Sequence, residues 1–266
     1  MVEFGDGVQF TYVMGGLARD YTSGYEDAEG GIGGQRGVFQ GLLLHWLDRA
    51  AESGMPIDPR LWSEGPITTT YPACMAVKAA AEQGREAERR YLRGLREGLL
   101  CFRRKLDTTE ALVEEARGTG LDVERFRIDL GSHAIVEAFG RDLEATRTIP
   151  EEARERGGAK QGQGEERLVF PTVCFEDDER ARRWVFGVQP YEAYREAAFA
   201  AGAAPGDDPP PDVLSALRRF GRMAGPELEA VCDLPGPRAA AELWRLASEW
   251  RVRPVRVLTG WLFEAA

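Results

Sequence analysis

The spacing of apolar residues changes twice along this chain, from a period of two to a period near 3.6 and back. Val8 to Met14 mix apolar and polar side chains and are rich in Val, Phe and Tyr, which predicts a β-strand close to the first residue. From Gly37 onward, apolar residues recur every three or four positions, which is typical of amphipathic helices. Residues 37–148 are therefore predicted to form a run of about six helices with short connections.

Polar residues mark where several of these helices are predicted to begin. Asp107 is followed three positions later by Glu110, a spacing that resembles a capping box with Asp107 as the N-cap. Asp122 and Ser132 each precede a periodic apolar segment, so their side chains are expected to accept hydrogen bonds from the first helical turn.

The second half of the chain returns to strand-type patterns. Residues 151–166 are charged, rich in Gly and Gln and free of large apolar side chains, which predicts a mobile surface loop. The apolar run Leu168 to Phe175 predicts a strand, and Arg183 to Val188 predicts its antiparallel partner. A helix is predicted from Pro190 to about Ala201.

The last part of the sequence is predicted to be a separate small unit. Residues 203–211 (AAPGDDPPP) have the composition of a linker. Residues 212–266 contain three helical patterns followed by two short strand patterns, an order similar to a winged-helix arrangement. The predicted organisation is thus a domain over residues 1–202, a linker over 203–211 and a small helical and hairpin domain over 212–266.

The charge balance argues against nucleic acid and anionic membranes as partners. The chain has 34 basic and 44 acidic side chains and a net charge of −10, whereas such partners require a surplus of positive charge. The first residues lack a basic segment followed by a long apolar stretch, so no secretory signal is predicted. The expected location is therefore the cytoplasm.

The four cysteines do not form a recognisable metal or disulfide pattern. Cys74, Cys101, Cys174 and Cys232 are widely separated, and no C-x-x-C pair is present. We expect four small buried side chains, and we predict neither a metal site nor a cofactor.

The glycine-rich segment GGIGGQRG (residues 30–37) does not fit a nucleotide-binding motif. Arg36 stands where the third Gly of G-x-G-x-x-G would be, and the Lys of a phosphate-binding loop is missing. The stretch from Ala18 to Arg36 is accordingly predicted to be a loop.

Pro171 is the most informative single residue. A proline inside an apolar strand removes a ladder donor, so it is tolerated at a sheet edge or for a specific purpose. One possibility is an ordinary trans proline on an edge strand. The other is the cis proline of thioredoxin-like folds, which turns the preceding backbone outward to pair with an extended peptide.

Several short motifs taken together resemble the cytoplasmic branch of the DsbA family, which comprises thioredoxin-like proteins with a large helical insertion. Spx adaptor proteins and 2-hydroxychromene-2-carboxylate isomerases are related branches. The resemblance covers about residues 3–202 and rests on YVMGGL (12–17), GMPIDP (54–59), YPAC (71–74) with AVKAA (76–80), LRE (95–97) and FPT (170–172).

The resemblance implies an α/β thioredoxin-like fold with an all-helical insertion at about 37–148, followed here by the small winged-helix-like unit. It also implies that Val8 to Met14 corresponds to the second strand of the fold. The first strand and the C-x-x-C helix would lie before Met1. We therefore expect an N-terminally incomplete, truncated sequence, with natural loss of this segment as the alternative. No catalytic residue is therefore assigned.

The resemblance further implies a substrate-binding surface next to the cis proline. The residues expected to form this surface are Phe170, Pro171, Thr172, Gly15 and Gly16. The expected partner is a thiol or disulfide protein or a peptide.

Three functions are compatible with this sequence. The first is a thiol–disulfide oxidoreductase, inactive in exchange as written because the C-x-x-C segment is absent. The second is a non-catalytic, protein-binding adaptor of the Spx-adaptor type. The third is a glutathione-linked isomerase or transferase similar to 2-hydroxychromene-2-carboxylate isomerases.

Overall fold

The computed structural model of the chain describes residues 2–21 and 34–266. Most of the described residues before position 150 are helical, and all strands lie after it. The helices are α1 (Gly34–Ser53), α2 (Leu61–Glu64), α3 (Tyr71–Ala81), α4 (Arg85–Phe102), α5 (Thr109–Gly118), α6 (Val123–Leu130), α7 (His133–Arg147), α8 (Glu151–Glu155), α9 (Tyr191–Ala200), α10 (Val213–Phe220), α11 (Gly225–Val231) and α12 (Gly236–Ser248). The strands are β1 (Ala159–Gln161), β2 (Glu166–Leu168), β3 (Thr172–Glu176), β4 (Arg182–Phe186), β5 (Met223–Ala224), β6 (Val252–Val257) and β7 (Gly260–Ala265).

Helix α3 lies at the centre of the helical part and contacts α4, α5, α6 and α7. Its buried face consists of small residues, which allows the neighbouring helices to approach closely. Tyr91 on α4 is fully buried in this core, and its hydroxyl donates a 2.9 Å hydrogen bond to the carbonyl of Leu112. The buried α3 residues are Ala76, Val77, Ala79 and Ala80.

Two of the three predicted helix caps are present as expected. The side chain of Asp122 accepts a hydrogen bond from the Arg125 amide, and that of Ser132 accepts one from the Ile135 amide. The prediction for Asp107 is wrong, because Thr108 caps α5 instead. The Asp107 carboxylate accepts hydrogen bonds from the backbone and hydroxyl of Thr68, which holds it away from the helix.

The predicted loop over 151–166 is largely wrong. This segment contains the short helix α8 and strand β1, which pairs antiparallel with β2. Ala153 on α8 is fully buried beside Leu168 and Phe186, so a small side chain anchors a segment whose composition is otherwise polar. The predicted loop from Ala18 to Arg36 is also wrong in part, because α1 already begins at Gly34. Residues 22–33 of this predicted loop lie outside the described part of the chain.

The predicted strand from Val8 to Met14 is not paired in a sheet. These residues belong to no strand of the described chain. The segment is instead held by side chains of the helices: the Met14 amide donates a 2.8 Å hydrogen bond to Asp142, and Lys78 donates one of 3.3 Å to the Tyr12 carbonyl. Alternation of apolar and polar residues indicates which side chains face a core. It does not indicate whether a neighbouring strand is present to accept and donate the backbone hydrogen bonds.

The residues after the extended segment 203–211 form a compact arrangement of α10, β5, α11, α12, β6 and β7. The three strands form one antiparallel sheet in the order β5-β7-β6. The three helices bury their apolar faces against this sheet; the largest fully buried side chains there are Leu217, Leu228, Leu243, Leu246 and Leu262.

A cluster of ion pairs joins this C-terminal unit to α4. Arg93 on α4 pairs with Glu97 and with Glu227 of α11, and it also donates a 2.7 Å hydrogen bond to the carbonyl of Arg222. Arg222 in turn pairs with Glu97 at 2.9 Å and with Glu264 of β7 at 2.9 Å. Beside these charges lies an apolar contact formed by Met55, Leu100, Cys101, Phe102, Ala224, Val255, Val257 and Leu262.

Within residues 2–21 and 34–266, no helix is both long and apolar enough to cross a membrane.

Candidate functional site around the cis proline

The peptide bond between Phe170 and Pro171 is cis. The predicted continuous strand from Leu168 to Phe175 is therefore wrong, because β2 ends at Leu168 and β3 begins only at Thr172. Two hydrogen bonds stabilise the turn between them. The Thr172 hydroxyl donates to the Val169 carbonyl at 2.6 Å, and the Gly187 amide donates to the Pro171 carbonyl at 2.8 Å.

The aromatic ring of Phe170 lies between a glycine and an arginine. A Cβ atom on Gly15 would stand 2.5 Å from Cε2 of this ring and nearer still to Cζ, so only glycine fits there. The buried Arg167 guanidinium lies over the ring, 4.4 Å from its centroid, at the distance of a cation–π contact. The Phe170 side chain nevertheless remains 38% exposed and faces solvent next to the exposed Pro171.

Gly16, the next residue, packs against helix α7 and has no room for a side chain. Its φ of +58° is a conformation that favours glycine. A Cβ atom there would lie 2.6 Å from Leu143 and 3.1 Å from Phe139. Tyr71 packs edge-on against Phe139 with ring centroids 5.0 Å apart. The Gly15–Gly16 pair therefore lets the backbone pass between the Phe170 ring and helix α7.

Charged side chains fix this backbone from the side of α3 and α7. Asp142 accepts the Met14 amide and also pairs with Lys78 at 3.0 Å, and both side chains are mostly buried. Arg147 at the end of α7 donates to the Gly15 carbonyl at 3.2 Å and pairs with Glu165 in the β1–β2 turn. Arg147 thus ties the glycine pair to the hairpin that leads into the cis proline.

The structure brings the five predicted binding residues into one place. Gly15 contacts Phe170 directly, and Gly16, Pro171 and Thr172 are their chain neighbours. Their role in binding stays a prediction. The supporting arginines were not predicted, because nothing in the spacing around Arg147 or Arg167 distinguishes them from other surface arginines of this arginine-rich chain.

The cysteine thiols do not have the properties of an attacking thiolate. Burial raises the pKa of Cys74 to about 11, although the nearby Gly16 amide acts in the opposite direction. Burial likewise raises the pKa of Cys101 to about 12 and that of Cys232 above its usual value. The expectation of four buried side chains is right for Cys101 and Cys232 only, because Cys74 is partly exposed and Cys174 is exposed. The pKa of Cys174 is also raised, again by desolvation.

The described His, Cys, Asp and Glu side chains were compared with the geometry of a metal site. Within the two described ranges, no group of three His, Cys, Asp or Glu side chains is placed to hold a metal ion.

Comparisons with known proteins agree with this architecture. The family model described as Thioredoxin matches residues 1–150. The ClpXP adapter protein SpxH of Halalkalibacterium halodurans is 30% identical over 234 residues, covering 85% of this chain and 71% of that protein. The SpxH of Bacillus subtilis is 28% identical over 231 residues, covering 84% of this chain and 71% of its own length.

A solved structure supports the fold. The chain superposes with a TM-score of 0.50 on a candidate protein disulfide isomerase from Nitrosomonas europaea, covering 67% of this chain and 76% of that one at 18% identity. At that identity the likeness concerns the fold alone. Together with the cis proline and the family match, it establishes a thioredoxin-like fold of mixed helix and sheet. The chain therefore belongs to the DsbA/thioredoxin-like family.

Proposed function

We propose that this chain is a protein-binding adapter of the SpxH type, which presents a client protein to the ClpXP protease. The observation that carries the proposal is the extent of the match with the SpxH adapters. It covers 85% of this chain, a longer stretch than residues 1–211, so it includes part of the C-terminal unit as well as the thioredoxin-like part. A shared thioredoxin-like domain alone would not produce so long a match.

The four cysteines of this sequence do not supply the thiol chemistry of an exchange reaction. An oxidoreductase needs a thiolate with a lowered pKa near the cis proline. The pKa of every cysteine in this sequence is raised. Thiol–disulfide exchange therefore finds no competent thiol among them, and a thiol or disulfide substrate is not part of the proposal.

We propose that the client contacts the surface formed by Phe170, Pro171 and Thr172 with Gly15 and Gly16. The exposed part of the Phe170 ring offers an apolar contact, and Pro171 beside it is exposed. Within the described residues, neither the amide nor the carbonyl of Phe170 has a hydrogen-bond partner. An unpaired donor and acceptor beside an apolar ring suit a peptide backbone with apolar side chains.

We also propose the domain organisation 1–202, 203–211 and 212–266, with the helical insertion at about 37–148 and a winged-helix-like C-terminal domain. The order of helices and strands after residue 212, with the sheet order β5-β7-β6, supports the latter. Its balance of acidic and basic residues favours a protein contact over DNA. The cytoplasmic location and the isomerase alternative remain predictions.

Protein turnover tests the adapter proposal directly. Half-lives of all proteins are measured after arrest of translation, in cells with and without this gene. An adapter shortens the half-lives of a small set of clients, and depletion of ClpX lengthens the half-lives of the same set. If no protein changes its half-life when the gene is removed, the adapter proposal is wrong.

Two variants localise the binding surface in the same assay. Phe170→Ala removes the exposed ring and is expected to stabilise the clients as deletion does. Ile128→Ala removes another exposed apolar side chain, 73% exposed on α6, and should leave client turnover unchanged. If the two variants change client turnover equally, the surface around the cis proline is not where the client binds.

A further inference from the structure

The surface of helix α12 in the C-terminal unit is divided into three stripes. One stripe is buried in the core of the unit. A second is exposed and charged, and in it Arg245 pairs with both Glu242 and Glu249. The third carries no charge, although most of its residues are exposed. Its members are Pro237, Ala240, Ala241, Trp244, Ala247 and Ser248. An exposed helix face is ordinarily polar, so this third stripe requires a separate explanation.

Trp244, in the middle of the uncharged stripe, packs against the sheet and is only half covered. Its ring meets the ring of Trp261 on β7 edge-on, with centroids 5.8 Å apart, and that of Phe263 with centroids 5.7 Å apart. Phe263 is buried, whereas Trp244 and Trp261 remain 48% and 38% exposed. These two residues form a tryptophan corner at the surface, between α12 and β7.

The tryptophan corner lies on the side of the sheet that faces away from α4. Trp261 and Phe263 are two positions apart in β7, so they share one face of the sheet, and Leu262 between them points to the other. Leu262 belongs to the apolar contact with Phe102 of α4. The three-stranded sheet therefore stands between the corner and α4.

The polar groups at the corner are hydrogen-bond donors. Within the described ranges, neither the Trp244 nor the Trp261 indole N–H has a hydrogen-bond partner. Arg256 lies opposite Trp261 on β6, with its guanidinium 4.9 Å from the centroid of that ring. It donates to two backbone carbonyls at 3.4 Å, and no described acidic side chain pairs with it. The corner thus offers two neutral donors and one uncompensated positive charge.

The exposed area of the corner suits a short segment. A Trp side chain offers up to about 250 Å², so the exposed parts of the two rings amount to about 200 Å². A stable dimer buries about 800 Å² on each partner. The corner is therefore too small to hold two copies of this chain together by itself.

Among peptide conformations, polyproline II matches both the rings and the donors. Proline rings pack into aromatic-lined grooves, and this conformation has no internal hydrogen bonds, so its carbonyls are free to accept. An α-helix would leave the indole donors unpaired, because its own amides occupy its carbonyls. A β-strand would add amides that the indoles cannot accept, whereas proline has none. The charge of Arg256 adds a preference for an acidic residue beside the prolines.

We propose that the tryptophan corner binds a proline-rich segment of a partner protein, with an acidic residue of that segment paired to Arg256. Its biological role rests on the proposed adapter function, because a protein that joins a client to a protease needs a second binding surface besides the client surface. The binding itself is independent of that function and can be measured with a peptide.

Fluorescence anisotropy on the full chain tests the proposal. The probe is a fluorescein-labelled peptide of eight prolines with two aspartates at each end, in 0.15 M salt, which screens charges beyond about 8 Å. A peptide with alternating Gly and Ser in place of the prolines is flexible and should bind about 10-fold more weakly. A peptide with lysines in place of the aspartates should bind about 3-fold more weakly, because it places like charges beside Arg256.

Four variants assign the binding to the corner. Trp244→Ala removes one ring and should weaken binding by about 10-fold or more. Trp244→Phe keeps a ring and removes the N–H, so the loss should be about 3- to 10-fold, the effect of one hydrogen bond. Arg256→Glu should reverse the preference, so that the lysine-flanked peptide binds more tightly. Trp250→Ala is the control, because Trp250 is 88% exposed beyond the end of α12, and it should bind as the wild type does.

Three binding results would overturn the inference. The first is equal binding of the Gly–Ser peptide. The second is unchanged binding to both Trp244→Phe and Arg256→Glu, which keep most of the packing and decide the question even where Trp244→Ala fails to fold. The third is an equal loss in Trp250→Ala, or a loss in Phe170→Ala, which would place the peptide on the client surface. A dimer in sedimentation that Trp244→Ala dissociates would also overturn it and assign the corner to a second copy.

The two proposals fail separately. If the peptide does not bind while client turnover still depends on the gene, the adapter function stands and only the tryptophan corner loses its assignment. If the peptide binds as expected while client turnover is unchanged by removal of the gene, the corner keeps its assignment and the adapter proposal is wrong.

Discussion

Gly15→Ala tests the contact on which the candidate site is built. The added methyl group would stand 2.5 Å from Cε2 of the Phe170 ring, whereas carbon atoms pack at about 3.5–4.0 Å. The ring edge must therefore move by more than about 1 Å and leave its position under Arg167. Overpacking of this kind costs about 1–3 kcal/mol, and loss of the cation–π contact adds about 0.5–1 kcal/mol. Because the ring is partly exposed and can move, part of the overpacking is relieved. We therefore expect Gly15→Ala to lower the free energy of unfolding by about 2 kcal/mol.

A double-mutant cycle separates this contact from other effects of the substitution. The free energy of unfolding is measured by urea titration for wild type, Gly15→Ala, Phe170→Ala and the double variant. Without the ring the three atoms nearest to the added methyl group are gone, so the cost of Gly15→Ala should be much smaller, and restriction of the unfolded chain offsets part of what remains. Gly140→Ala on α7 is the control. No atom lies within 4 Å of its added Cβ, so this variant should gain about 0.5–1 kcal/mol.

The packing contact is contradicted if Gly15→Ala lowers the free energy of unfolding by the same amount with and without the Phe170 ring. The two positions would then be energetically independent, and the packing of the glycine pair against the cis proline turn would not hold the site together.

Three further predictions concern the supports of the site and of the C-terminal unit. Lys78→Met leaves the largely buried carboxylate of Asp142 without its cation, so urea titration should record a loss of about 3 kcal/mol, partly recovered by adding Asp142→Asn. Burial raises the pKa of Glu88, so its ionised form destabilises the fold above that pKa; Glu88→Gln should raise the melting temperature at pH 8, and the gain should shrink as the pH falls toward 4. Arg93→Met breaks the ion pairs between α4 and the C-terminal unit, so limited proteolysis should cut residues 203–211 faster than in the wild-type chain.

Local sequence signals predicted the helices well because their causes are local. Asp122 and Ser132 cap their helices through bonds to residues three positions away, and no distant partner is needed. Thr108 displaced Asp107 as a cap because the Asp107 carboxylate is engaged by Thr68, which is remote in sequence. A competition between local and distant partners is not visible in a single sequence.

The strands were predicted less well because pairing is a property of two segments. The alternation from Val8 to Met14 indicated an extended segment beside a core, and the backbone is indeed bonded there to Asp142 and Lys78. Nothing in the alternation reports that a ladder partner is missing among the described residues. The exposure of Cys174 has the same origin, because a residue in an apolar strand is buried only where a neighbour covers it.

The candidate site was predictable where it depends on residues with unusual backbones. Gly15, Gly16 and Pro171 were identifiable, because glycine and proline restrict where a chain can turn. Arg147 and Arg167 were not, since their roles depend on a carbonyl and a ring that only the folded chain brings near them.

Photo-cross-linking from position 170 tests most directly the claim that this surface binds a protein. Phe170→p-benzoylphenylalanine places a photoreactive ring at the centre of the surface, and Ile128→p-benzoylphenylalanine places the same ring on the exposed face of α6. After irradiation of living cells, we expect a discrete protein adduct from position 170 that position 128 does not give and that is lost when Gly15→Ala displaces the ring. The same adducts from both positions, or none from position 170, would contradict it.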